Sequence, residues 1–164
     1  MAENKRVVFG LDGTLIDKHK NWRPGAKGLL AKLQEKNIAP VVWTNVSKRT
    51  ARDITSKLAD FNYLVREVYT KKASGQLLSS LAINMAKSQD SRVVALAKEI
   101  KPNSLAKIPT AVCSNILVEN DVILRQEARE FGAIVIDPAP TDEDTSPEQW
   151  TERVFASILA NFPE

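Results

Sequence analysis

Asp12 stands between an apolar run, Val7-Val8-Phe9-Gly10-Leu11, and Gly13-Thr14. Gly13 permits a sharp turn and can aim successive backbone N–H groups at one point, which suits an anion. Asp12, just past the run, is placed to exchange a proton with a leaving group. Thr14 adds a hydroxyl. A second apolar run, residues 38–43, ends in Thr44-Asn45, which offers a further hydroxyl and an amide. Residues of these types, at the ends of apolar runs, fit the handling of a phosphate group.

Such residues need a scaffold that brings several loops to one edge. Residues 6–11 read as a buried strand. Arg23-Pro24-Gly25 marks a turn, and a proline at a helix start suits a helix over residues 25–36, with Leu29, Leu30 and Leu33 on one face and Asn37 as its cap. A second strand over 38–43 follows, then a helix over 47–58 and a third strand over 63–69. Helical patterns cover 74–86 and 92–100. A fourth strand spans 115–118, a helix 123–131 stopped by Gly132, and a fifth strand 133–137. The Pro-rich acidic stretch after it reads as a surface loop. A last helix begins at Ser146-Pro147-Glu148, with Trp150, Val154 and Ile158 on one stripe. Apolar strands alternating with amphipathic helices predict a doubly wound, Rossmann-like α/β fold with a five-stranded, mostly parallel sheet. Ligands of such sheets collect outside the carboxyl ends of the strands. No internal repeat or composition shift divides the chain, so residues 1–164 read as one domain.

Composition narrows the function classes. The chain has 164 residues, 43% of them hydrophobic and 26% charged, with a net charge of +3. Its basic residues are dispersed and no aromatics interleave with them, so no nucleic-acid partner is expected. The single cysteine, Cys113, cannot pair within the chain and reads as a small hydrophobe at a strand edge. No apolar run approaches a membrane span and no leader peptide is legible, so a cytoplasmic protein without a membrane partner is expected. His19 reads as a surface residue and Trp22 as packing beneath its loop. Asp17 is suited to cap the turn that follows it. Arg125, Glu127, Arg129 and Glu130 read as a solvated helix face.

The stretch VVFGLDGTLID at 7–17 resembles the strand and loop of the haloacid dehalogenase superfamily, an apolar run followed by D-x-D-G-T-L-x-D. WRPGAKGLLAKL at 22–33 is similar to that family's R-P-G-x-x-x-L-L helix start. VVWTN at 41–45 resembles its second motif, and VYTKKASGQLL at 68–78 its third-strand exit and lysine. ILVENDVILRQEAREFGA at 116–133 is similar to its fourth motif, commonly V-E-D-S or V-G-D-S.

The resemblance implies phosphate transfer through an aspartyl phosphate, with Mg²⁺ held by the attacking aspartate, a loop carbonyl and an acidic residue of the fourth motif. It puts Gly10 at the nucleophile position and makes Asp12 the general acid/base, with its carbonyl on the metal. Gly13, Thr14, Thr44, Asn45 and Lys72 are the implied phosphate-binding residues, with Lys71 or Lys101 as alternatives to Lys72. Glu119 and Asn120 match the metal site, and a slip of one residue would bring Asp121 there instead. Asp121 is equally suited to cap the following helix.

Gly10 has no side chain to attack phosphorus, and the loss of a nucleophile costs about 10⁴- to 10⁶-fold in rate. Neutral Asn120 weakens a Mg²⁺ site, because that ion favours charged oxygens, so Mg²⁺ is expected to be weakly held or absent. The segments after strands one and two leave no room for a substantial cap domain. In the family an open site goes with macromolecular substrates or with a homo-oligomer. The expectation is a phosphatase-like protein whose hydrolase activity is lost or strongly reduced and which keeps binding of a phosphorylated ligand or a protein partner. Two alternatives stand beside it. One is an active Mg²⁺-dependent phosphohydrolase of phosphomonoesters, seen here as a nucleophile variant. The other is a non-catalytic protein-interaction module using residues 137–149 and Trp150 as an anchor.

Overall fold

Five short strands carry the apolar runs, and the computed structural model describes them within residues 5–141 and 146–163. They are β1 (Lys5–Phe9), β2 (Ile38–Trp43), β3 (Glu67–Tyr69), β4 (Ile116–Val118) and β5 (Ile134–Ile136). The sheet order is β3-β2-β1-β4-β5 and every pairing is parallel. The order reverses between β1 and β4, so the carboxyl ends of these two strands flank the crevice where such sheets bind ligands.

Among the described residues, seven helices cover the sheet: α1 (Ala26–Glu35), α2 (Lys48–Thr55), α3 (Phe61–Leu64), α4 (Lys71–Ala86), α5 (Ser91–Ala97), α6 (Val122–Glu130) and α7 (Pro147–Leu159). Strand side chains alternate between two cores. Val7, Phe9, Val42, Ile116 and Val118 face α1 and α7, meeting Leu29, Leu33, Val154 and Ile158. Val8, Trp43 and Leu117 face the other way, onto Leu78, Ile108, Val112 and Ala128. Burial on both faces is why β1, β2 and β4 read as continuous apolar runs rather than alternating ones. Among the described residues no helix is long and apolar enough to cross a membrane.

The largest correction to the sequence reading lies before β3. Residues 61–64 form the short helix α3, and the strand starts only at Glu67. Phe61 and Leu64, three apart, are both buried while Tyr63 is 84% exposed, which is a helical spacing. Asp60 in the left-handed region turns the chain into that helix. Cys113 is not a buried strand-edge residue either. It is exposed, with φ 61, directly after a 3₁₀ turn at Pro109–Val112.

Trp150 is the centre of the α1–α7 side and not an exposed anchor. It is 2% exposed, its indole N–H donates to the Pro24 carbonyl (2.9 Å), and the Arg23 guanidinium lies 4.0 Å from its ring centroid. Arg23 also donates to the carbonyls of Pro138 (3.0 Å) and Pro140 (3.4 Å), and burial lowers its pKa to about 10. The R-P-G turn therefore holds the segment after β5 and α7 together. Part of the acidic 137–149 segment, residues 142–145, lies outside the described residues.

At the amino ends of the strands, Arg6 on β1 reaches across β2 and makes two hydrogen bonds to Glu67 on β3 (3.0 and 3.1 Å). Tyr69 also donates to Glu67. The Arg6 hydrogen bond, followed by that of Tyr69, holds the Glu67 carboxyl below its ordinary value of 4.5.

Two outcomes follow from these contacts. Trp150→Ala removes a buried ring and its hydrogen bond and should cost about 3–5 kcal/mol in chemical denaturation. Because the folded Glu67 carboxyl titrates lower than the unfolded one, its stabilisation is present above about pH 4.5 and fades as pH falls through the folded value. Glu67→Gln should therefore be less stable than the wild type at neutral pH. Thermal melts should show the difference narrowing below about pH 4.

Candidate active site

Gly10 directly follows β1 and Glu119 directly follows β4, and because Phe9 pairs with Val118 the two lie side by side. The Gly10 N–H donates to the Val118 carbonyl (2.9 Å), and the Glu119 N–H donates to the Ile136 carbonyl (3.1 Å). The residue without a side chain thus faces one with a carboxylate. A Cβ built on Gly10 would stand 2.6 Å from Glu119 Oε1 and 3.0 Å from its Cδ, nearer than van der Waals contact allows. The Glu119 carboxylate fills the space that a side chain at position 10 would need.

Glu119 is only 2% exposed, so its charge must be answered within the protein. Lys107 answers it, through an ion pair between Nζ and Oε1 in which both side chains are buried. Oε2 accepts from the Asp121 N–H (3.1 Å). Oriented so that its partners are satisfied, the Asn120 amide nitrogen lies 2.7 Å from the same Oε2. It also lies 3.0 Å from both the Asp12 carbonyl and Thr14 Oγ1. The Asn120 backbone N–H donates to Thr14 Oγ1 as well (3.2 Å). Three oxygen atoms thus converge on one amide.

The loop itself is closed by internal bonds. Gly13 adopts φ +77, and a Cβ there would come within 2.9 Å of Asn120 Cγ, so both conformation and space require glycine. The Gly13 N–H donates to Ile16 O (2.9 Å) and the Thr14 N–H to Leu11 O (3.2 Å). Both are spent inside the turn. Thr14 is fully buried. The Asp12 carboxylate turns outward, 43% exposed, and pairs with Lys20 Nζ at 2.5 Å. Asp17 caps the next turn by accepting from the His19 and Asn21 N–H groups (2.9 and 3.1 Å). Trp22 donates to Ala59 O and stacks on Phe61.

A second group of residues gathers at the ends of β2 and β3. Thr44 is 4% exposed, and its N–H donates to Tyr69 O (2.9 Å). Asn45 donates to Leu105 O (2.9 Å). Asn45, Lys71, Lys72, Gln76 and Ser104 line an open cavity of about 910 Å³ at the start of α4. Lys101 lies apart, in a small cavity beside Glu127 and Phe131. Asp121 caps α6, accepting from the N–H groups of Ile123 (2.8 Å) and Leu124 (3.1 Å).

Two charged residues at these loops, Lys107 and Lys20, were not singled out from the sequence, and a third, Arg125, was assigned there to the wrong surroundings. Lys107 interrupts the buried run Ala106-Lys107-Ile108-Pro109, and a charge within an apolar run is a legible sign of a buried partner. Lys20 carries no comparable signal. Arg125 does not belong to a solvated helix face: it donates to the carbonyls of both Glu119 and Asn120 (2.8 Å each) and lies 3.5 Å from Asp137. It clamps the exit of β4.

Mg²⁺ requires several unopposed, negatively polarised oxygens. The Glu119 carboxylate meets Lys107, the Asp12 carbonyl meets the Asn120 amide, and the Asp12 carboxylate meets Lys20. No cluster of three or more His, Cys, Asp or Glu suited to a metal ion occurs among the described residues. The residues as arranged do not fit a divalent cation.

No curated protein matches the chain. Among solved structures, the crystal structure of AnUbiX (PadA1) in complex with FMN and dimethylallyl pyrophosphate aligns over 95% of this chain and 93% of its own. The identity is 12% and the TM-score 0.40. A family model described as haloacid dehalogenase-like hydrolase matches residues 7–133, from within β1 to the residue before β5. With that match over most of its length, and with its parallel sheet and Asp-Gly-Thr loop, the chain belongs to the haloacid dehalogenase-like hydrolase family.

Proposed function

We propose that this chain is a phosphatase-like member of its family in which hydrolysis through an aspartyl phosphate is lost or strongly reduced. Its role is then binding, of a phosphorylated ligand or a protein partner. The observation that carries this reading is Gly10 itself, with the Glu119 carboxylate packed into the space of the absent side chain. Glu119 does not replace the nucleophile. Its oxygens are engaged by Lys107, Asp121 and Asn120, and the residue is buried. A carboxylate so held cannot approach phosphorus. Asp12 alone could assist a water, but Lys20 pairs with it.

The same observation weighs against a lone nucleophile variant of an otherwise intact phosphatase. In such a chain the space beside residue 10 would stand ready for an aspartate. Here an Asp at position 10 must displace the partner of a buried lysine.

Positive charge beside the site supports the phosphate-ligand form of the reading. Lys71 and Lys72 stand at the start of the 16-residue helix α4, where backbone N–H groups and the helix dipole favour an anion. Asn45 and Ser104 supply polar groups to the same open cavity.

Purified protein should not hydrolyse a generic aryl phosphate above the blank, with or without Mg²⁺, and Gly10→Asp alone should remain silent. Wild-type turnover that disappears in Asp12→Asn would overturn the reading. Inorganic phosphate should raise the thermal midpoint by mass action, and that rise should vanish in Lys71→Ala/Lys72→Ala. An equal rise in that double variant would move the ligand elsewhere.

A further inference from the structure

Loss of a nucleophile does not by itself remove a metal site, and many ways of losing one would leave the remaining oxygens free. In this protein the oxygens are not free. We propose that the chain carries a built-in substitute for the cation, in which the Lys107 ammonium and the Asn120 amide neutralise Glu119 and the Asp12 carbonyl. The pocket is thereby sealed against divalent metal ions. The inference deepens the proposed function and rests on it, since a sealed pocket presupposes that hydrolysis no longer requires the metal.

Three observations converge. First, the Lys107–Glu119 pair is buried on both sides, with side chains 7% and 2% exposed, and sits against the Gly10 backbone. Second, the Asn120 amide nitrogen contacts the Asp12 carbonyl, Thr14 Oγ1 and Glu119 Oε2 at 2.7–3.0 Å, so a hydrogen-bond donor occupies a point ringed by oxygens. Third, Arg125 holds the backbone carbonyls of Glu119 and Asn120 at 2.8 Å each, which fixes the loop in the arrangement that aims the amide inward.

Each substitution makes sense only with the others. With an aspartate at position 10, Glu119 could not lie where it does. With an aspartate at position 120, carboxylates would crowd the Asp12 carbonyl and Glu119 with only Lys107 to offset them, and a divalent cation would be needed again. Gly10 makes the space, Glu119 fills it, Lys107 balances the charge, and neutral Asn120 closes the ring. Glycine also lets the carboxylate approach backbone closely, without a Cβ in the way.

Thermal melts in about 10 mM Mg²⁺ against a chelator test this directly by mass action. The wild-type midpoint should not move. Gly10→Asp/Asn120→Asp should be less stable than the wild type in chelator and should regain several degrees in Mg²⁺. A Mg²⁺-dependent rise in the wild type, or a folded double variant that ignores Mg²⁺, would overturn the proposal. Should that variant fail to fold, the lysine supplies a second measurement. Lys107→Met leaves a buried carboxylate unpaired and should lower the midpoint by about 10 °C or more, and Lys107→Met/Glu119→Gln should recover most of it. Equal stability of Lys107→Met and the wild type, or no recovery in the double variant, would refute the substitute-cation role. Aryl phosphate turnover by the wild type, measured in parallel, refutes the loss of hydrolysis. Wild-type stabilisation by Mg²⁺ without turnover refutes only the sealing.

Discussion

The buried ion pair between Lys107 and Glu119 is the constraint on which the carboxyl edge of this sheet depends. A charge at the end of a central parallel strand is costly unless it is matched within hydrogen-bond reach. Matching Glu119 requires a lysine delivered to the same depth, and the chain delivers it by an indirect route. After α4 and α5, residues 101–108 run back toward the strand ends. The Asn45 bond to Leu105 O and the burial of Ala106, Ile108 and Pro109 then pin Lys107 in place. The stretch between α4 and β4, which looks superfluous to a doubly wound fold, is what carries the countercharge.

Around that pair the remaining polar groups form a closed set. Thr14, Asn120, Asp121 and Arg125 each satisfy a neighbour rather than face an empty crevice. Networks of this type are rigid when complete and costly when one member is missing. The edge of the sheet therefore divides in two. Its β1–β4 half is internally satisfied, and its β2–β3 half sets Lys71 and Lys72 along an open cavity.

Much of this was legible in the sequence, for physical reasons. Strands buried on both faces must be continuously apolar, which fixed the positions of β1, β2 and β4 and put the loop from Asp12 to Thr14 at the carboxyl end of β1. Gly10 was visible as a missing carboxylate by resemblance alone. Its consequence was not visible, because it depends on a side chain 109 positions away lying in the vacated space. Lys71, Lys72 and Lys101 drew attention through their place in a motif, whereas Lys107 is set by tertiary packing. Asp121 remained open between cap and ligand until hydrogen-bond geometry assigned it to the helix. The strand expected from Tyr63 failed because an apolar run as short as Tyr63-Leu64-Val65 fits the end of a helical turn as well as a strand.

The bond from Trp150 to Pro24 and the stacking of Arg23 on that ring bear on what counts as the folding unit. The family-matched segment stops at residue 133, yet the apolar face of α1 finds its cover in α7, well past that point. Recognisable motif and cooperative unit are thus of different extent. The part of the chain that family resemblance identifies would leave an uncovered hydrophobic flank, because the helix that lies outside it packs into the same core as the strands that carry the motifs.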